Sequence, residues 1–400
     1  MLNFFPKKHD SKASRTGPLL AWHNLGQPQW TPRRYDQLAE QGYRKNVVAH
    51  RCISLIAQLV ASIPLTLYDK EKQEIEAHEL LSLLHKPNPQ HDGKAFLEKL
   101  TAHYLIAGNV YIEAVGAQDH FPPRELYCLR PDRMKIVPGP RGLPLAYEYS
   151  VNNQIARWGV DQINGRSDIL HLKNFHPTDD WYGLAPLEAA LLAIDQHNAA
   201  SQWNMAMLNN GARPSGALVY APKEGPGTLT EDQVQRLKNE LEENYQSSRN
   251  TGRPLLLEGG LDWKPLSLSP QEMDWLKGRD MASRDIALAF GVPPQLIGVP
   301  DAQTYANYQE ARLALYEDTI LPLAYRLMGA LGAWLTDLFH EELTLTIDAD
   351  AIAALTARRD TLWEKLRRAD FLTLNEKRAA LGYSALPEGD QIMPHAADKN

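Results

Sequence analysis

From Pro186 to Asn210 the chain places a proline first and then neither glycine nor proline, and this run constrains the fold more than any other feature. Proline loses nothing at the first position of a helix, because the amide there has no intrahelical partner. The run predicts about 38 Å of helix at 1.5 Å per residue. Its second half, Asn198–Asn210, is rich in Ala, Asn, Ser, Gln and Met with one Trp203. Such a helix buries an apolar face poorly; it suits close packing between copies of itself, and a solvated face would look similar. A second run, Gln271–Phe290, also predicts a helix, closed by Gly291. Between the two lies a β-α-β-β pattern: Gly216–Tyr220, a helix over Glu231–Tyr245, Pro254–Glu258 and Leu261–Leu266. Thr230 is the expected N-cap of that helix, with Glu231 and Asp232 complementing its dipole. The layout is an antiparallel helical pair with a small α/β insert at its tip.

The preceding half reads as α+β. Residues 33–63 carry Tyr43, Val47, Ile53, Ile56 and Val60 near helical spacing, and Pro64 ends the run. Leu65–Tyr68 then reads as extended. Helices are predicted over Glu76–Leu84 and Gly93–Ala107, the latter closed by Gly108-Asn109. Short strands follow at Val110–Val115, Glu125–Leu129, Met134–Val137, Ala146–Ser150 and Ile169–Leu172, separated by dense Pro and Gly.

After Gly291, residues 292–304 hold three prolines and a glycine, which excludes regular structure there. A long helix is predicted over Tyr305–Phe339, with Leu313, Tyr316, Ile320, Leu323, Leu327, Leu331, Trp334 and Leu338 at three- and four-residue steps. Pro322 lies inside it and predicts a kink, since proline removes a hydrogen bond and crowds the preceding turn. A strand over Leu343–Ile347, helices over Asp350–Arg368 and Thr373–Leu381, and a loose tail from Pro387 complete the chain. Four hundred residues predict two to four packed units.

Composition narrows the function. Apolar residues are 44% and charged residues 23%, ordinary for a globular chain, and no apolar run reaches the length of a membrane span. Residues 1–17 carry Lys7, Lys8, Lys12 and Arg15 without an apolar core, so they read as a short basic arm rather than a secretory signal. The two cysteines, Cys52 and Cys128, provide neither a disulfide framework nor a zinc site, which points to cytosolic assembly. A net charge of −7 excludes a strongly basic DNA-coating protein but not one that DNA slides past.

No phosphate-binding loop, nucleophile elbow, H-E-x-x-H or C-x-x-C is present, so the expectation is no enzyme, no metal and no cofactor. His171, His176, Asp179 and Asp180 could form a metal or acid–base cluster, but a polar strand end and turn account for them better. For Asp348 and Asp350, helix capping is favoured over a paired-carboxylate site. Trp22 and Trp30 among Arg33, Arg34, Arg44 and Lys45 fit an interface arm better than a stacking platform for nucleic acid.

Several fragments, in order, carry a family resemblance. They are Leu81–Leu84 with Lys86-Pro87-Asn88-Pro89; Gly108–Ile112; Leu129–Arg133; His171-Leu172-Lys173 with Gly183-Leu184-Ala185-Pro186; and Asn210–Gly216. Further on come Ile286-Ala287 with Phe290–Pro294 and Leu296-Ile297-Gly298, then Asn307–Glu310, Thr319–Pro322 and Leu372–Arg378. Together these resemble the portal proteins of long-tailed phages and gene transfer agents over nearly the whole chain, with Ala185 where the family pattern has Ser.

The resemblance implies a helix-rich α+β portal fold that forms a ring, usually of twelve copies. It implies an N-terminal arm (1–25), a wing (26–185), stem helices (186–213 and 270–291) and a clip (214–269). A tunnel loop (292–304), a kinked helix returning to the wing (305–349) and a crown (350–400) follow. The loop tip would be Val299, Pro300, Asp301, Ala302, Gln303 and Thr304. Tyr305, Tyr308, Lys277 and Arg284 are candidates to face DNA, and Lys238, Arg249 and Arg253 to dock partners on the clip. The partners implied are further copies, the major capsid protein, the terminase large subunit, a head–tail adaptor and double-stranded DNA without sequence reading; no membrane is involved. The place implied is the portal vertex of a virion assembled in bacterial cytoplasm. A nuclease or transferase is the rival enzyme reading, distinguished by metal-dependent activity. A head–tail adaptor is the rival structural reading, and the length of the chain counts against it.

Overall fold

The computed structural model describes residues 31, 34–117, 121–140, 142–209, 216–220, 230–245, 261–265, 275–299, 305–381 and 385–391. Asn46 divides what hydrophobic spacing predicts as one helix over 33–63. Short helical turns, Tyr35–Gln37 and a π-helical Leu38–Arg44, lead to it, and α1 (Val47–Ser62) starts after it. The Asn46 side chain accepts hydrogen bonds from the amides of Val48 (3.1 Å) and Ala49 (3.0 Å), which resets the helical phase. Val47, expected on the apolar face, is therefore exposed, while Cys52, Ile53, Ile56 and Val60 are buried.

β1 (Leu65–Tyr68) pairs antiparallel with β10 (Thr344–Ile347), joining chain segments far apart in sequence. α2 (Glu79–His85) and α3 (Gly93–Ala107, capped by Asp92) follow, and α3 packs along α1. β2 (Asn109–Val115) is the central strand of an antiparallel sheet, flanked by β3 (Glu125–Leu129) and β7 (Ile169–Lys173). Strand periodicity splits its side chains. Val110, Ile112 and Ala114 enter the main core with the helices, and Tyr111 enters a second cluster with Met134, Ile136, Tyr147, Val160 and Ile169.

That second cluster packs under a sheet of β4 (Met134–Val137), β5 (Ala146–Val151) and β6 (Gln154–Gly159). The apolar pattern does not reveal β6, because nearly all of it is exposed. Its signal is the preceding Asn152-Asn153, both at positive φ (49° and 64°), which makes a tight hairpin turn.

Pro186 begins a short helix, Pro186–Ala189, and α4 (Leu191–Asn209) continues it past Ala190. In the insert, β8 (Gly216–Tyr220) pairs antiparallel with β9 (Leu261–Pro265), and α5 (Glu231–Tyr245) lies between them in sequence. Thr230 and Gln233 bond reciprocally at the start of α5, as its expected cap requires. The strand expected at Pro254–Glu258 lies outside the described residues. α6 (Trp275–Ala289) packs against α4 and absorbs Gly278, which faces open space.

Residues 292–304 are not wholly irregular: Pro294–Ile297 forms a 3-10 turn, with prolines tolerated at its start. The long helix runs as α7 (Tyr305–Ala314), a π-helical Leu315–Ile320 and α8 (Leu321–Phe339). Its buried stripe is Leu315, Ile320, Ala324, Leu327, Met328, Leu331 and Leu335. The helix expected from Asp350 starts later. Asp348 instead caps a 3-10 turn, Ala349–Ala351, and α9 (Thr356–Arg368) and α10 (Leu374–Ala380) follow.

Candidate functional site

The fragments that carry the family resemblance form joints of the framework. Gly108 ends α3 at φ 67°, and a Cβ there would lie 2.5–2.6 Å from backbone atoms of Leu184 and Ala185. Next to it, the Asn109 amide donates to the carbonyls of Ala107 (2.8 Å) and Gly183 (3.1 Å). Its Oδ1 accepts from the Gly183 amide (2.8 Å) and from His171 Nε2 (3.0 Å). Because the amide nitrogen is committed to carbonyls, Nε2 of His171 must carry the proton. One side chain thus ties the α3–β2 turn, β7 and the segment leading into α4.

Asn88 does the same between α2 and β3, donating to the Leu126 carbonyl (2.8 Å) and accepting from the amides of Gln90 and His91 (2.9 Å each). Gly291 closes α6 at φ 65°, and the Thr319 hydroxyl donates to its carbonyl (2.7 Å), joining the exit of α6 to the π turn of the long helix. Thr373 and Glu376 form a capping box at α10, while Asn375 bonds back to Leu386 and Asp390.

The His171–Asp180 segment is structural. His171 is half-buried and stacked on Tyr111 (centroids 4.4 Å apart), and burial, reinforced by Lys173, lowers its pKa to about 3. Asp179 accepts from the amides of Tyr182 (3.0 Å) and Trp181 (2.7 Å), which hold its carboxyl below the usual range. His176 accepts from the Thr178 amide. Among the described residues, no group of three or more His, Cys, Asp or Glu is placed to hold a metal ion. Nor is any described helix long and apolar enough to cross a membrane. Both cysteines are buried, and burial pushes their thiols up to about 12.

The features left for function lie along α4, α6 and α7. α4 is fixed to the framework by Asn46, whose amide donates to His197 Nδ1 (3.2 Å) and Asn198 Oδ1 (3.0 Å), and by Asp195, which accepts from the Thr31 amide (3.0 Å). Burial, then the Arg279 charge, lowers the His197 pKa. Small buried side chains, Ala200, Ala282 and Ser283, line the packed sides of α4 and α6. On α6, Lys277 is exposed and Arg284 half-buried, seven residues apart and so on one helix face.

Tyr308 on α7 is half-exposed, and Tyr305 is the first residue of α7. Val299 is buried (6% exposed), whereas Pro300, Asp301, Ala302, Gln303 and Thr304 lie outside the described residues. Of the clip candidates, Lys238 sits on α5, and Arg249 and Arg253 lie outside the described residues, as do Trp22, Trp30 and Arg33. Arg34 pairs with Asp36, and Arg44 and Lys45 with Glu40, so those cations serve local ion pairs. Sequence reasoning missed the exposed apolar side chains Leu192, Met205, Met281 and Leu288 on α4 and α6. For Met205 the signal was the charge-free second half of α4; the charged residues of α6 give none for Met281 and Leu288.

Comparison with known proteins agrees with this geometry. A profile of the family described as "Phage portal protein" matches residues 47–382. A Rickettsia bellii protein of undescribed function is 44% identical over 351 residues, covering 88% of this chain and 90% of that one. The portal protein of Enterobacteria phage HK97 is 25% identical and covers 96% of this chain and 88% of its own. A chain in the neck of an empty gene transfer agent particle, solved with C6 symmetry, is 45% identical, with a TM-score of 0.70 over 90% of this chain and 96% of that one. An HK97-family portal protein from Corynebacterium diphtheriae, 18% identical with a TM-score of 0.54, shares the fold. With the joints, the helical pair and the family profile all in one order along the sequence, this chain belongs to the phage portal protein family.

Proposed function

We propose that the chain is the subunit of a ring, of about twelve copies, at one vertex of a gene transfer agent or phage particle. DNA enters through it during packaging and leaves through it during delivery. The observation that carries this reading is the 45% identity, over 90% of the chain, to a protein in a gene transfer agent neck. A related neck solved with C12 symmetry supports the copy number. Identity to the HK97 phage portal protein is 25%, so the gene transfer agent setting is favoured.

The role is mechanical rather than catalytic. A ring needs two unlike patches on each subunit, joined by a rotation that closes. In this reading residues 26–185 and 305–349 are the wing, 186–213 and 270–291 the stem, and 214–269 the clip. Residues 292–304 form the tunnel loop, 350–400 the crown, and 1–25 an arm. The clip would dock the terminase and later the adaptor, and the wing would meet the capsid protein. A subunit with net charge −7 adheres weakly to phosphate, which favours passage in both directions without sequence reading.

Mass photometry and negative-stain imaging of the purified chain test the reading. Rings of about twelve chains with a central hole are expected. A compact dimer with a closed pocket and metal-dependent nuclease activity would replace it with the enzyme reading.

A further inference from the structure

Residues 356–381, which hold α9 and α10, carry seven Lys and Arg against four Asp and Glu. That positive surplus stands in a chain whose net charge is −7. Between the two helices runs an open groove of about 450 Å³, lined by Trp363, Glu364, Leu366, Arg367, Lys377 and Leu381. Trp363 and Arg367 are one turn apart on α9, and Lys377 and Leu381 are one turn apart at α10. Each wall therefore offers an apolar body beside a cation. Trp363 is 44% exposed, whereas Leu366 is buried.

The charges do not balance within the groove. Glu364 is already paired with Arg368 (3.9 Å). Arg367 and Lys377 form no ion pair with a described residue. Two like charges lining one small groove repel each other until an anion joins them. The exposed indole beside them suits a flat apolar body. A nucleotide supplies both, since its phosphate is the anion and every base has a face that stacks. Lys365 and Arg368, both exposed, carry positive charge beyond the groove toward further phosphates, where a lone peptide carboxylate has no counterpart for them.

We propose that the groove between α9 and α10 binds an unpaired nucleotide of a DNA strand, with the base on the Trp363 indole and the phosphate between Arg367 and Lys377. This goes beyond the passage reading: it is a point of attachment on a chain whose net charge favours free movement. Only the choice of DNA as the nucleic acid rests on that reading. The groove belongs to a single chain, so its binding is measured whatever the copy number.

The test is fluorescence anisotropy of the full chain with a labelled oligothymidine of about 15 nucleotides, against a blunt duplex of the same length. Tighter binding of the single strand is expected, weakened at least fivefold by Trp363→Ala and retained by Trp363→Phe. Arg367→Gln with Lys377→Gln should weaken it at least fivefold and flatten its dependence on salt. Circular dichroism checks the fold of each variant; if Trp363→Ala loses helicity, the glutamine pair carries the test. Single-strand binding that ignores these substitutions lies elsewhere on the chain and overturns the proposal. Equal affinity for the duplex, with no loss in folded Trp363→Ala, reduces the groove to a charged surface and also overturns it. A labelled acidic peptide bearing Phe that binds more tightly than the oligonucleotide, and is lost with the same substitutions, assigns the groove to a protein partner instead. Mass photometry reads ring assembly separately: rings without oligonucleotide binding sink this site and leave the ring reading standing.

Discussion

Asn109 illustrates how much a single side chain can fix. Its amide satisfies the carbonyls of Ala107 and Gly183, and its oxygen satisfies the Gly183 amide and His171. Asn109→Ala strands these groups in a buried joint, and a loss of about 3 kcal/mol is expected from urea unfolding. Unchanged stability would show that water replaces the side chain there. His171 and His103 lead to a pH prediction. Burial holds both neutral in the folded state, with pKa lowered to about 3 and about 4. The sign follows: the unfolded chain binds the proton more readily, so the stability is present above the ordinary histidine pKa and is lost as pH falls below it. Each histidine should remove about 1 kcal/mol per pH unit between pH 6.5 and 5, the slope steepening toward about 1.4 at the acid end. Glu113 and Asp168, whose carboxyls burial raises, oppose this only nearer the carboxylate range. Stability of His171→Gln followed over that range should show a shallower slope than the native chain; an identical slope would clear His171 of the effect.

At the scale of elements, the long helix and the exit of α6 meet at one place. Just before Pro322 the helix widens into a π turn, where the Leu321 amide bonds to the Tyr316 carbonyl. The wider turn relieves the crowding of proline against the carbonyl four residues back. Pro322→Ala should let the turn tighten toward α geometry, seen as slower hydrogen exchange at residues 318–322. No change would mean that the packing of Leu315, Tyr316 and Ile320, not the proline, sets the turn. Gly291 works from the other side. Its φ of 65° suits glycine, and a Cβ would sit 2.6 Å from the Thr319 hydroxyl oxygen. Gly291→Ala should cost about 2 kcal/mol in thermal unfolding, and a loss below a few tenths would show that Thr319 can move aside. The glycine and the proline were legible in the sequence; their meeting through Thr319 was not, because 28 residues separate that hydroxyl from its acceptor.

For the whole molecule, the proposed passage depends on residues that join the wing to the stem. Deleting several of residues 299–304 should leave rings intact while reducing DNA retention or packaging, measured as DNA per assembled particle. Loss of ring assembly instead would show that the loop holds the structure together, consistent with the buried position of Val299. Charge reversal at Lys238, Arg249 and Arg253 should weaken capture of terminase and adaptor by the ring. Unchanged capture of both would remove the docking role from these three residues.

Glycine, proline and capping residues act on their own neighbours, so the sequence alone placed most helices and strands and their order. The caps Asp92, Thr230, Asp348 and Thr373 are where their local chemistry puts them. Family fragments were recognisable for the same reason, since the Gly108-Asn109 and Gly291 joints need particular residues at particular positions. The tertiary structure decided what is not local. It broke the first helix at Asn46, exposed Val47, added the polar strand β6, and set His171 in a joint rather than a site. It also left apolar side chains uncovered on α4 and α6. Burial is a property of what lies across from a residue, and spacing along the chain does not carry that information.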